Sequence, residues 1–212
     1  MTPYEPAADC ALCGRLVEFR LDNAAANPAW HNRPVPSFGG IDARLLIVGL
    51  APGLRGANAT GRPFTGDAAG DLLYSTLADT GFARGAYGAH GNDGLELVET
   101  RITNAVRCVP PQNKPSGPEI RTCGEFLKAE IAALPRLRCI VTLGTIAHNA
   151  TLRALELRLK DAPFGHGAAF EGGGGVLILA SYHCSRLNTF TGRLTAEMFR
   201  AVFTAARRHL ER

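Results

Sequence analysis

The chain has 212 residues, 46% hydrophobic and 20% charged, an ordinary globular composition. That length suits one domain with a sizeable core, and no apolar run approaches the roughly eighteen residues that mark a membrane span. A net charge of +4 and a pI near 8.9 suit a polyanionic partner without demanding one.

Residues 1–10 carry no basic start and no apolar stretch, so no export signal is expected and the cytoplasm is the default location. Residues 10–42 read as irregular, with a CxxC at Cys10 and Cys13 and a short amphipathic piece over 16–21. Prolines at 28, 34 and 36 follow. The apolar run 44–50 ends in glycine and leucine and predicts a buried strand. A loop rich in Gly, Pro and Asn leads to Asp67, and the spacing predicts a helix over 69–80. Glycines at 81, 85, 88, 91 and 94 mark loops. A second strand is predicted over 102–108, stopped by Pro110 and Pro111. A helix over 119–134, a strand over 138–144 and a helix over 145–155 follow. After a four-glycine turn come a fourth strand, 176–180, and a last helix, 195–210. Strands alternating with helices predict an α/β fold: a single-domain three-layer αβα arrangement on a central, mostly parallel four-stranded sheet. Neither repeats nor a second domain are evident, and the N-terminal segment 1–42 is expected to pack on the rest.

Three of the four strands run into unusual polar segments at their carboxyl ends, where such sheets bind ligands. The first holds Gly49, Leu50, Ala51, Pro52 and Gly53, then Arg62, Phe64 and Asp67. Its small residues let backbone approach a ligand, but it matches neither a Walker A loop nor a dinucleotide fingerprint. The second carries Asn104 through Asn113. An Asn amide at a strand end is both donor and acceptor, suited to reading a base edge, and equally able to cap a turn. The third runs from Ser181 through His183 to Thr195, with Ser185, Arg186, Asn188, Thr189, Thr191 and Arg193, side-chain types that bind phosphate oxygens. The C-terminal arginines at 193, 200, 207, 208 and 212 fit a solvated helix face as well as a nucleic-acid contact.

Six cysteines in a chain without an export signal argue against a disulfide framework. Cys10, Cys13, Cys108 and Cys123 could hold a [4Fe–4S] cluster or a tetrahedral zinc, and spacing alone does not choose. Cys139 lies within an apolar strand and reads as core, whereas Cys184 follows His183 and reads as site lining or chance.

Taken together, the loop Gly-Leu-Ala-Pro-Gly with Thr-Gly-Arg-Pro-Phe-Thr-Gly-Asp, and the stretch Asn-Thr-Phe-Thr-Gly-Arg-Leu-Thr, resemble the uracil-DNA glycosylase superfamily. The resemblance covers residues 10–210 and falls within the iron–sulfur families, closest to family 5, the B-type enzymes. It implies a structural [4Fe–4S] cluster on Cys10, Cys13, Cys108 and Cys123, with zinc the lesser alternative. It further implies a DNA partner bearing uracil or other deaminated bases, and hydrolysis of the N-glycosidic bond. In that likeness Phe64 stacks on the flipped base, Asn104 reads its edge, and Gly49, Ala51, Pro52 and Gly53 line the pocket. His183 donates to the base carbonyl, and Asp67 orients water or stabilises the sugar cation. Arg62, Ser185, Arg186, Asn188, Thr189, Thr191 and Arg193 hold DNA. Family 4 carries an acid where this chain has Leu50, which shifts attention to Asp67, a residue equally suited to capping the next helix. A monomer is expected by analogy. The competing reading from another class is a binding or redox-sensing module that keeps the cluster but lacks catalysis; a zinc-stabilised nucleotide hydrolase is a third.

Overall fold

A computed structural model describes residues 3–212. In chain order the elements are α1 (Gly14–Ala26), β1 (Leu45–Gly49), α2 (Ala57–Thr60), α3 (Ala68–Asp79), β2 (Ala83–Arg84), β3 (Glu96–Leu97) and β4 (Thr100–Asn104). There follow α4 (Gly117–Ala133), β5 (Cys139–Leu143), α5 (Thr145–Ala154), β6 (Ala169–Glu171), β7 (Leu177–Ser181), α6 (Arg186–Phe190) and α7 (Ala196–Leu210).

The main sheet has the order β4-β1-β5-β7-β6, parallel except for β6, which pairs antiparallel with β7. Successive side chains of a strand point to opposite faces, so β1 divides its residues between two cores. Leu45 and Ile47 join Leu73, Leu77, Phe199 and Phe203 of α3 and α7. Leu46 and Val48 join Leu127 of α4 and Ala147 and Ala150 of α5. Helices on both faces explain why all five residues of β1, β4 and β5 are buried.

The four predicted strands and four predicted helices are all present, with ends displaced by one or two residues except at the end of the second strand. The sheet has five strands rather than four, because the short strand β6 adds an antiparallel edge. The second strand stops at Asn104, four residues before the predicted end at 108. Beyond it Ala105 and Val106 still donate to the Gly49 and Leu50 carbonyls, but the Arg107 N–H donates to Cys123 Sγ at 3.2 Å instead of to a neighbouring strand. The N-terminal segment is more regular than expected: α1 spans thirteen residues but buries only Leu16 and Arg20, which leaves a weak periodic signal. Among the described residues no helix is long and apolar enough to cross a membrane.

Charged pairs fasten the loops to this frame. Arg15 of α1 binds Glu119 at 2.6 and 2.8 Å, and Glu119 also closes a capping box with Ser116 at the start of α4. Glu130 is fully buried and receives Arg101 and Arg107, each at 2.6 Å, while Glu5 accepts from both arginines at 3.0 Å. The N-terminal segment is thereby tied to β4, to the loop after it and to α4.

Arg62, expected at the DNA, lies elsewhere. Its guanidinium is buried and grips Asp93 in a two-pronged pair at 2.6 and 2.8 Å. The rings of Phe38, Tyr74 and Tyr87 stand within 5.1–5.7 Å of it. Asp93 in turn accepts from the Gly88 and Leu95 N–H groups, so one ion pair joins the loop before α3 to the loop between β2 and β3. A planar guanidinium suits this bidentate, aromatic-walled place, and so placed it is not available to a phosphate.

The hydrogen bonds from Arg62 hold the Asp93 carboxyl well below the usual carboxylate range. Its stabilisation is therefore complete above the unfolded carboxylate pKa of about 3.9 and fades as acid approaches the lower folded value. Asp93→Ala leaves a buried arginine unpaired and is expected to cost about 3–5 kcal/mol in urea unfolding at pH 7. That deficit should hold from pH 5 to 8 and shrink below about pH 4; a deficit independent of pH down to 2 would show that the ion pair is not its source.

Candidate active site

Parallel pairing sets Gly49 of β1 opposite Asn104 of β4, both at carboxyl ends of their strands. β1 connects onward toward β4, whereas β5, on its other side, connects onward toward β7. That reversal of direction leaves a crevice between the loops, the usual ligand position in such sheets. A cavity of about 540 Å³ opens there, lined among others by Ala51, Gly53, Phe64, Asp67, Asn104 and His183. Residues from all three predicted segments thus meet. Gly49 and Pro52 do not themselves line it. A β-carbon at Gly49 would collide with Asn104 Oδ1 and come within 2.6 Å of Phe64 Cζ, so only glycine fits.

Phe64 is buried, with a φ of +53°, in the left-handed region where bulky residues are rare. Tyr87 Oη holds this turn, donating to Phe64 O and accepting from Gly66 N–H, both at 3.3 Å. Gly70 on α3 packs directly on the Phe64 carbonyl, leaving no space for a side chain. The ring faces His183, with centroids 5.8 Å apart and planes 29° from parallel.

Asn104 is buried at the end of β4, and its Oδ1 has no hydrogen-bond partner. An unpaired buried acceptor costs about 1–3 kcal/mol, so such an atom in a residue that lines the cavity marks a place for an incoming donor. The complementary group is an N–H flanked by a carbonyl, the pattern on the edge of a nucleobase.

Asp67 divides its carboxylate between two tasks. Oδ1 accepts from the Ala69 and Gly70 N–H groups at 3.1 and 3.2 Å, the N-cap of α3. Oδ2 turns toward the loop after β1, where a β-carbon on Gly53 would lie 3.1 Å from it. The helix-cap reading therefore accounts for one oxygen, and the other remains at the pocket wall.

His183 follows β7, and Asn188 Nδ2 donates to its carbonyl at 2.8 Å. Burial lowers the imidazole pKa, opposed in part by the Asp67 charge, so the ring is neutral at physiological pH. A neutral imidazole still carries one N–H donor.

The residues expected on DNA separate into groups. Ser185 and Arg186 line the cavity mouth. Arg193 is exposed, its guanidinium 4.6 Å from the Tyr182 ring centroid. Asn188 braces the His183 loop. Thr189 and Thr191 donate their hydroxyl protons to carbonyls of α6 itself, so each can only accept from a partner. Beside the exposed Arg186 and Thr189, α6 presents two apolar side chains to solvent: Leu187 is 71% exposed and Phe190 88%. Sequence reasoning passed over both, since an exposed apolar residue is invisible before solvent exposure is known. It also passed over Asn113 as a lining residue, although the segment ending there was expected at the site.

Cys10, Cys13, Cys108 and Cys123 come together around a second, small apolar cavity, with Leu16 and Arg20 also lining it. All four are free thiols. Burial pushes Cys108 up to about 12 and Cys123 up to about 11. Among the described residues, no three His, Cys, Asp or Glu are grouped as ligands of a single metal ion. Cys139 and Cys184 are both plain core.

Comparison with known proteins agrees with this geometry. The family model described as "Uracil DNA glycosylase superfamily" matches residues 36–207. The chain is 47% identical over 204 residues to a "Type-5 uracil-DNA glycosylase" of Thermus thermophilus, covering 94% of this chain and 93% of that protein. A protein of the same description from Pyrobaculum aerophilum is 40% identical, over 93% and 88% of the two chains. A "Type-4 uracil-DNA glycosylase" of Archaeoglobus fulgidus is 33% identical, over 70% and 69%. With its cavity lined from all three polar segments at the strand ends, and with such relatives along nearly its whole length, the chain belongs to the uracil-DNA glycosylase superfamily, on the side of the type-5 enzymes.

Proposed function

We propose that this protein is a monofunctional uracil-DNA glycosylase that takes uracil out of the DNA stack and hydrolyses its N-glycosidic bond. The observation that carries this reading is Asn104, which lines the cavity with Phe64 and His183 and whose buried Oδ1 has no hydrogen-bond partner. Uracil N3–H supplies the missing donor, and the Asn104 amide N–H can serve a neighbouring carbonyl. Phe64 offers a ring face on which the base stacks, and a rigid one, because the Tyr87 hydroxyl fixes its turn.

The bond between C1′ and the base nitrogen breaks with both electrons leaving on the base. His183, neutral, donates to the base carbonyl where negative charge gathers. Asp67 Oδ2 holds a water, or faces the cationic sugar, from the loop side; the water oxygen bonds to C1′ and the released proton reaches the departing base. Leu50 contributes no acid, so Asp67 is the carboxylate for this step. The small lining residues Ala51, Ala57, Ala68 and Ala69 set no bulky barrier, which favours acceptance of deaminated purines such as hypoxanthine and xanthine as well. One chain carries every group named, consistent with action as a monomer on chromosomal DNA.

Ser185, Arg186 and Arg193 are the groups proposed to meet phosphates. Leu187 and Phe190 stand one helical turn apart on α6, beside the pocket mouth, and would enter the gap left by the extruded nucleotide.

The thiol cavity is proposed to hold a structural [4Fe–4S] cluster. A zinc ion draws its thiolates in to about 2.3 Å and hence close to one another, whereas a cluster keeps its ligands farther apart. Four free thiols ringing one cavity support a metal centre there, and the family likeness favours the cluster over zinc. The Arg107 N–H on Cys123 Sγ is a hydrogen bond that favours the thiolate. The cluster's role there is to clasp α1, the loop after β4 and α4 together.

Cleavage of a labelled duplex with one uracil, followed by alkali, tests the enzyme reading. Asn104→Ala and His183→Ala are expected to lose about 10²–10³-fold in kcat, as does Asp67→Asn, which retains the cap. A folded wild type inert on uracil and on hypoxanthine would favour a binding module instead. Because His183 is already neutral, kcat/KM should stay flat between pH 6.5 and 8; an inflection there that disappears in His183→Gln would contradict a neutral donor. Phe190→Ala should slow excision from duplex about tenfold yet leave single-stranded excision within about twofold. Equal loss on both substrates would remove Phe190 from the DNA gap. Purified protein should carry about four iron and four sulfide per chain, lost in Cys123→Ser; a colourless zinc protein would overturn the cluster reading.

A further inference from the structure

The buried cation beside the thiols has no part in the chemistry described so far. Arg20 lies on the inner side of α1, only 6% exposed, and lines the same cavity as Cys10, Cys13, Cys108 and Cys123. Its Nη2 donates to the Cys10 carbonyl at 2.6 Å and its Nη1 to the Ala8 carbonyl at 3.4 Å. Those carbonyls are its hydrogen-bond partners among the described residues, and Nε–H is buried with none. Arg101 and Arg107, by contrast, have Glu5 and Glu130 as counter-charges. A buried guanidinium without a carboxylate is costly unless negative charge stands nearby. Asp9 borders Arg20 only from the exposed side, in a separate cavity, whereas the four thiols share the small apolar cavity with it and can supply that charge.

We infer that Arg20 is the counter-ion of the iron–sulfur site: it holds the Cys10 turn by its carbonyl and offsets the negative charge of the ligated cluster. The inference rests on the cluster reading above. Four thiolates outweigh the charge of the metal–sulfide core, so the ligated group is an anion, and each added electron makes it more so. A fixed cation at the cavity wall therefore stabilises the reduced form most and raises the reduction potential. Removing the charge lowers the potential, eases oxidation and speeds loss of the group. Arg20 lines the thiol cavity and not the base pocket, so uracil excision by loaded protein is not expected to depend on it.

The test uses the full chain purified with its iron and sulfide counted, as wild type, Arg20→Gln and Arg20→Lys. Gln retains a donor for the carbonyls without the charge; Lys retains the charge without the fork. Voltammetry of the adsorbed protein reads the midpoint potential, and bleaching of the visible band under ferricyanide reads lability. Arg20→Gln should lower the reduction equilibrium about tenfold, which is about 59 mV for one electron, and bleach several-fold faster. Arg20→Lys should stay near wild type in potential. Failure of Gln alone to retain iron also supports the inference, because Lys separates charge from shape. Equal shifts in Gln and Lys, failure of both to hold iron, or no shift in either, would overturn it. A wild type without iron would instead remove the cluster reading beneath it.

Discussion

Parallel register places Gly49 and Asn104 side by side at the carboxyl ends of two neighbouring strands, and the space a β-carbon would take at Gly49 is filled by the Asn104 amide and the edge of Phe64. Both side chains owe their position to that missing atom. With it, neither the Phe64 ring edge nor the Asn104 amide could keep its place. Strand pairing thus sets the site to within a fraction of a residue, since a one-residue slip would turn Asn104 to the opposite face.

The loop between β1 and α3 is held with comparable firmness, and at a cost. A phenylalanine at positive φ is strained by about 1–3 kcal/mol, and it persists only where neighbours over-determine it. Here they do: Tyr87 spans the turn, Gly70 packs on its carbonyl, and the Arg62–Asp93 pair clamps the adjoining loops. Tyr74 adds a 2.6 Å hydrogen bond from its hydroxyl to the Pro63 carbonyl. The buried charge in this region therefore serves rigidity of the base platform rather than contact with nucleic acid. The same division recurs around Glu130, where two arginines are spent on joining the N-terminal segment to the sheet.

Asp67 shows why a bland and a functional reading of one residue need not compete. An N-cap uses one carboxylate oxygen and orients the other, so the start of α3 acts as a mount for the group facing the cavity. A side chain free to rotate would be a poorer holder of water, because it would have to be ordered during the reaction.

Much of this was legible in the amino-acid order. The apolar runs around Ile47, Val141 and Ile178 announced most of the sheet, because strands covered on both faces are largely apolar. The polar segments after three of its strands announced the pocket, because carboxyl ends of parallel strands converge. Asp67, Asn104, His183 and Phe64 could be named for the same reason. What the order of residues could not convey depends on distance across the fold. The fate of Arg62 was decided by Asp93, thirty-one positions away, and three aromatic rings, which turned a presumed phosphate contact into an internal clamp. The outward face of Phe190, the isolation of Arg20 among four thiols and the antiparallel edge at β6 were likewise settled by tertiary packing. Local patterns report which residues prefer burial; only the assembled chain determines which partner a buried charge finds, and which apolar side chain is left facing solvent.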